Sequence, residues 1–369
     1  MNTLAKFLTI INQPVKLQES TMTGTNMKRL GIVCKWIDTP DQIDCVKPKD
    51  DAKKYNTATT TVAWLSRQKR EVAEERLWRI MEQNIQSIGL LISRVGDLEP
   101  EMRMVRLSSE VFPCYTEPAW RYFWFKPDVR AYAEKHLAAV GDIARAKGVR
   151  LSFHPGPFTV LASDRPDIVE LSIQEMEYHA DIVRWLGFGK TFQDFKINIH
   201  ISGKRGPDGV RANYGRLSPE ARNGLTIENE EMTHGLDQCL GLSDIVPIVL
   251  DIHHHWTREG EYIQPSDPRI SRIIDSWRGV RPVIHYSVSR EEHLVGHASD
   301  GLPAHDALIA RGLNKQKLRA HSDFYWNTAV NDWALSHWSW ADIMCECKAK
   351  NLGTLQLWQQ AKNAGLIVR

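Results

Sequence analysis

The chain has 369 residues, 42% apolar and 25% charged, which is ordinary for a soluble folded protein of one large domain or two modest ones. Its 47 Lys and Arg against 45 Asp and Glu leave a formal charge of +2, which permits a nucleic-acid partner without calling for one. Six cysteines lack zinc-finger spacing and read as free thiols in a reducing compartment, and no segment has the apolar length of a membrane span.

Residues 1–27 lack a long apolar core and a small-residue cleavage site, so they read as an N-terminal extension lying on the fold, and a cytoplasmic setting is expected. The first strand is Arg29–Cys34, followed by an Asp-, Lys- and Pro-rich loop over 38–55. A helical period runs from Thr59 to Ser93, as one long helix or two short ones, and the second strand is Glu101–Leu107. The segment Phe112–Phe125 is too aromatic for a plain solvent loop. It reads either as a loop folded back on a barrel rim or as a wall on which Trp120 and Trp124 stack bases. Pro127–Lys147 is an amphipathic helix, Arg150–His154 the third strand, and Asp164–Leu186 a further helix. The fourth strand, Phe195–His200, is followed by Lys204 and Arg205, and residues 217–223 form a short helix.

The fifth strand, Leu225–Glu228, ends in a carboxylate and precedes a short helix over Glu230–Leu240. The sixth is Ile248–Leu250, which runs into Asp251 and then His253, His254 and His255. A helix is expected near Ile270–Trp277, and the seventh strand, Arg281–His285, leads into a polar insertion over 288–318 with Ala304–Arg311 helical. Trp326–Trp340 reads as irregular, Ala341–Glu346 as the eighth strand and Lys348–Ala364 as the closing helix. Cys345 and Cys347 flank Glu346 on the opposite face and read as packing residues.

Eight strands alternating with helices describe a (β/α)₈ TIM barrel, a single domain over 28–369. Six strands end in His154, His200, Glu228, Asp251, His285 or Glu346. A lone histidine after a strand is commonly structural. Six consecutive strands that each deliver an imidazole or carboxylate to the mouth, where barrels place their chemistry, point to a multinuclear metal site.

These ordered ligands carry a resemblance. The motifs are Arg29-Leu-Gly31, Val105-Arg-Leu-Ser-Ser109 with Phe112-Pro113, Ser152-Phe-His-Pro-Gly156, Glu177-Tyr-His179, Asn198-Ile-His200 and Leu225-Thr-Ile-Glu-Asn229. They continue with Asp251-Ile-His-His-His255, His285-Tyr-Ser287, His321-Ser-Asp323, Asp342-Ile-Met344 and Glu346-Cys-Lys348. Over roughly residues 28–360 the chain resembles the UV damage endonuclease family, relatives of endonuclease IV among the xylose-isomerase-like barrels.

The resemblance implies up to three divalent metals, manganese or zinc. His154, His200 and Glu228 match the ligands of one metal, and Glu228 also matches the bridge to a second metal held with Asp251, His285 and Glu346. His254 and His321 match ligands of a third. His253 and His255 stand outside this set, and Glu228, Asp251 and Glu346 carry the catalytic work. The partner implied is a damaged DNA duplex, with a monomer favoured and no membrane involved. By charge, Arg106, Lys204 and Arg205 are candidates to contact backbone phosphates, and the Lys315-Lys317-Arg319 run reads either as a further contact or as a solvated insertion.

The chain departs from the family pattern in several places. Glu117 stands where the family has a histidine, and Val283 where it has a lysine. Ile32, Pro157 and Phe158 replace a tyrosine and a Gln-Tyr pair that probe the damaged base, and only Phe158 keeps a stacking face. The implied function is a metal-dependent DNA repair endonuclease that cuts on the 5′ side of a lesion and leaves a 3′-hydroxyl. The departures keep two alternatives open. One is another metal enzyme on the same barrel, a sugar isomerase or epimerase or a nucleotide- or base-modifying enzyme. The other is a nucleic-acid-binding protein with weakened catalysis.

Overall fold

A computed structural model of the protein describes residues 27–43 and 50–367. Eight strands follow one another: β1 Leu30–Val33, β2 Met104–Arg106, β3 Arg150–Phe153, β4 Lys196–His200, β5 Leu225–Glu228, β6 Ile248–Val249, β7 Val283–Tyr286 and β8 Asp342–Cys345. The ladders between them are parallel, in the order β6-β5-β4-β3-β2-β1-β8-β7. An isolated parallel bridge between Asp251 and His285 joins β6 to β7 and closes the ring. The expected TIM barrel is the fold. Its strands are buried almost throughout because both faces are covered, one by the barrel interior and one by helices.

The outer helix after each strand is, in order, α1 Arg70–Gly96, α2 Pro127–Lys147, α3 Pro166–Trp185, α4 Pro219–Gly224, α5 Leu236–Leu240, α6 Pro268–Ser276, α7 Thr328–Ser336 and α8 Lys350–Asn363. Several begin by the same device: proline at the first helical position of α2, α3, α4 and α6 presets the backbone and lacks only an N–H that no helix would use. Gly148, at φ +63°, ends α2 in the left-handed conformation that a side chain would resist.

The end of the barrel away from the site is tied by one carboxylate. Asp342, fully buried at the start of β8, accepts from the Arg29 backbone N–H at 2.9 Å and from Arg281 Nε at 2.8 Å through Oδ1. Its Oδ2 accepts from Arg150 Nη1 at 2.8 Å. Three arginines from β3 and from the entries to β1 and β7 thus share one anion.

Four sequence expectations need correction. The histidine run, expected only as a polar tail to the sixth strand, opens a helix: Asp251 caps Ile252–Glu259, its Oδ1 accepting from the N–H groups of His253 and His254, each at 2.8 Å. Trp326–Trp340 is mostly helical, with Asn327 capping α7 and a 3₁₀ turn at His337–Ser339. A helix over Gly206–Tyr214 was not foreseen, because Gly-Pro-Asp-Gly reads as a turn. The helix expected over Glu230–Leu240 forms only as α5.

The insertion is anchored rather than loose. Helices at His305–Ala310 and Lys315–Leu318 lie within it, Lys315 Nζ bonds the Arg258 carbonyl at 2.7 Å, and Ser289 Oγ bonds the Leu318 carbonyl at 2.6 Å. The expected N-terminal extension lies, but for Met27, outside the described residues. Among the described residues no helix is long and apolar enough to cross a membrane.

Candidate metal centre

Alternation along each strand decides which side chains enter the barrel. On β4 the inward set is Lys196, Asn198 and His200, and on β5 it is Thr226 and Glu228. The strand ends bring three ligand groups together: His154–His200–Glu228, Glu228–Asp251–His254 and Asp251–His285–Glu346, each with its ligand atoms within 4.8 Å of one another. The groups share members, so Glu228 stands between the first two and Asp251 between the last two.

The imidazoles are aimed by what holds their other nitrogen. His154 Nδ1 lies 3.0 Å from the Pro155 carbonyl, His254 Nδ1 3.1 Å from the Asn229 carbonyl and His321 Nδ1 2.7 Å from the Glu346 carbonyl. An Nδ1–H donated to a carbonyl leaves Nε2 bare, the arrangement of a metal-ligating histidine. His285 is held from the other side. Its Nε2 meets Lys196 Nζ at 3.0 Å, and its Nδ1 lies 3.1 Å from both Glu228 Oε1 and Glu346 Oε1. Glu228 is further oriented by the amide of Asn198, itself held by Thr226 Oγ1 at 2.7 Å, and its Oε2 lies 3.2 Å from the bare Nε2 of His154. Asn229 clamps the Asp251 backbone, accepting its N–H at 2.8 Å and donating to its carbonyl at 3.0 Å.

Glu228, Asp251 and His285 are fully buried, and Glu228 Oε1, Asp251 Oδ2, His285 Nδ1 and His200 Nδ1 have no hydrogen-bond partner among the described residues. Lone pairs that converge in a buried space repel one another unless a cation stands between them. The residues therefore fit divalent ions. Burial pushes Asp251 up to about 7, with Glu228 and Glu346 adding to the effect against the pull of His254. Burial lowers His285 to about 4, which keeps its imidazole neutral at pH 7, the form a metal takes. His254 resists burial, and Asp251, Glu228 and Glu231 around it lift it to about 9.

The clusters open into a cleft of about 730 Å³ lined by His200, His254, His321, Glu346, Glu231 and Arg319, among others. Arg319, from the end of the insertion, bonds Glu231 Oε1 at 2.6 Å across this mouth.

The expected ligands thus assemble, with His321 on the cleft wall outside the three groups. The expected substrate residues fare unevenly. Phe158 is 89% exposed beside Pro157, which lines the cleft. Lys204 and Arg205 are exposed on the loop after β4, with Lys204 Nζ 2.8 Å from Asp164. Arg106 points into the site, but there it pairs with Glu346. Glu117, at a position where it could replace a ligand nitrogen with an oxygen or only contact substrate, is in neither the ligand groups nor the cleft lining among the described residues.

The stacking wall is a correction. Trp120 and Trp124 are 7% and 2% exposed, and Trp124 packs on Phe112 and Tyr115 at 5.1 and 6.1 Å, which leaves no ring face for a base. Sequence reading passed over Lys196, Asn198 and Glu231. Period-2 alternation back from His200 points to the first two; Glu231 lies beyond the strand, where that signal ends.

The family model described as UV-endonuclease UvdE matches residues 29–367. The chain belongs to the UV-endonuclease family. It is 33% identical over 204 residues to a UV-damage endonuclease of Neurospora crassa, an alignment covering 50% of this chain and 30% of that one. It is 27% identical over 251 residues to a UV DNA damage endonuclease of Bacillus pumilus, covering 66% of this chain and 75% of that one. The crystal structure of SacUVDE, 22% identical, superposes with a TM-score of 0.63 over 92% of this chain and 100% of that one, a likeness of fold. Membership and the ligand clusters together make the chain a UV-damage-endonuclease-like protein with the centre of a metal-dependent nuclease.

Proposed function

We propose that the protein is a DNA repair endonuclease that hydrolyses a phosphodiester on the 5′ side of a lesion and leaves a 3′-hydroxyl, with residues 28–369 forming one catalytic domain. The observation that carries this reading is the convergence of buried, unpartnered ligand atoms at the barrel mouth of a UV-endonuclease family member. His154, His200, Glu228, Asp251, His254, His285, His321 and Glu346 would hold up to three divalent ions, manganese or zinc by the resemblance. Such ions supply Lewis acidity toward the phosphoryl oxygens and the attacking water. Glu228 would be shared between neighbouring ions, Glu346 is steered by Arg106, and Arg319 and Lys348 on the cleft wall would draw the phosphate backbone toward the mouth.

Chelated protein reloaded with Mn²⁺ or Zn²⁺ should nick photoproduct-bearing or abasic duplexes and spare undamaged ones, and a polymerase should extend the product. A fully loaded protein that leaves every duplex intact would refute the reading. Phe158 offers an open ring face next to the cleft, so Phe158→Ala should weaken binding to damaged duplex by about 1–3 kcal/mol without changing metal content. Unchanged affinity in a titration of labelled duplex would make Phe158 a bystander.

A further inference from the structure

Lys196 is 2% exposed, begins β4, and shares the inward face of that strand with Asn198 and His200. Among the described residues its Nζ has one hydrogen-bond partner, Nε2 of His285 on β7, at 3.0 Å. We propose that Lys196 is the positioning residue of the central metal site, holding the His285 ring so that Nδ1 faces the gap between Glu228 and Glu346. This rests on the reading of that gap as a metal site.

Backbone supply is the first argument. His154, His254 and His321 lie at strand exits or beyond, where carbonyls are free of the ladder, and each has one within 3.1 Å of its Nδ1. His285 lies within β7, in register with Met344 of β8 and bridged to Asp251. There the carbonyls are used by neighbouring strands, and a ring pointing inward meets none. It can be held only by a side chain that crosses the interior.

Reach is the second argument. Lys196 comes from three strands round the ring, and its four-carbon stem spans the distance, while the shorter Asn198 on the same face bonds Thr226 and Glu228, both on the adjoining strand. The contact fixes the rotation of the imidazole, and Nδ1 offers its lone pair to a metal when Nε2 bears the ring hydrogen and the Lys196 amine accepts it. It is also specific in placement: rotating the ring away from Lys196 would take Nδ1 from a point 3.1 Å from each of two carboxylate oxygens.

The test uses the full chain, stripped of metal and titrated with Mn²⁺, with binding followed by calorimetry and by the electron paramagnetic resonance of neighbouring ions. Lys196→Met keeps the bulk of the stem and removes the polar tip. It should weaken one class of Mn²⁺ sites by about 10–100-fold, the usual cost of losing a ligand's supporting partner, and replace the spin-coupled signal with that of isolated ions. The remaining sites and the melting temperature of the metal-free protein should stay as in the wild type. Lys196→Gln, whose amide can still bond Nε2, should lose less. Equal weakening of all sites, unchanged binding, equal losses in the two variants, or failure of both to fold would overturn the proposal. A wild type that binds no Mn²⁺ would instead overturn the metal-site reading beneath it.

Discussion

Glu228→Gln should bind its ions weakly and cut damaged duplex at least about a hundredfold more slowly than the wild type, because positioning and charge stabilisation fail together. The side chain is fully buried, belongs to two of the three ligand groups, and receives contacts from His154, Asn198 and His285. Glutamine keeps the shape but offers one acceptor oxygen in place of two, so a bridge between two ions becomes a single bond at best. Glu170→Gln is the control, since Glu170 is exposed and pairs only with Arg216 on the outer surface. Metal stoichiometry and turnover are measured on all three proteins. Full occupancy with wild-type turnover in Glu228→Gln would end the bridging role and leave the family's chemistry here without its central ligand.

Asp342→Asn should destabilise the fold by about 3–5 kcal/mol, the cost of leaving buried charges without their counter-ion. Asp342 is fully buried and is the shared anion of Arg29, Arg150 and Arg281, whose side chains are each only 16% exposed. An amide cannot neutralise three guanidinium groups, and its NH₂ would face donors. Urea unfolding of the metal-free protein gives the loss directly. Asp342 lies at the far end of β8 from Glu346, so the variant below its unfolding transition should keep wild-type metal stoichiometry. A loss under about 1 kcal/mol would show that the arginines find other acceptors.

The strands and the ligand set were legible in the sequence because both obey a local rule. A short apolar run bounded by turn residues fits a covered strand, and in a parallel barrel the residue at its C-terminal end lies at the mouth. Residues whose placement depends on packing were not legible. The tryptophans of 326–340 obscured the helical period of α7, whose signal was the cap Asn327. Trp120 and Trp124 looked like a stacking wall, yet both are buried, Trp124 against Phe112 and Tyr115 and Trp120 beside Tyr122. The three histidines were sorted by the family resemblance alone, since their spacing does not show that they open a helix. Successive side chains then diverge by about 100°, so His254 enters the site, His253 faces Trp256 and His255 turns to Glu261. Lys196 was readable, since Lys-x-Asn-x-His on one strand must share a face, but attention stopped at the strand's last residue.

The bridge between Asp251 and His285 has a mechanical side. It is the one joint where the ring of strands is stitched by an isolated pair rather than a ladder, and both residues of the pair are candidate ligands. An ion seated between them acts as a clasp on a hoop. With the clasp removed, β6 and β7 become two loosely sutured margins of an eight-strand ribbon, and exposed margins of a sheet recruit strands from other molecules. The same chemistry that would cut DNA would then also keep the protein from clumping, and demetallated stocks should aggregate where loaded ones stay monodisperse.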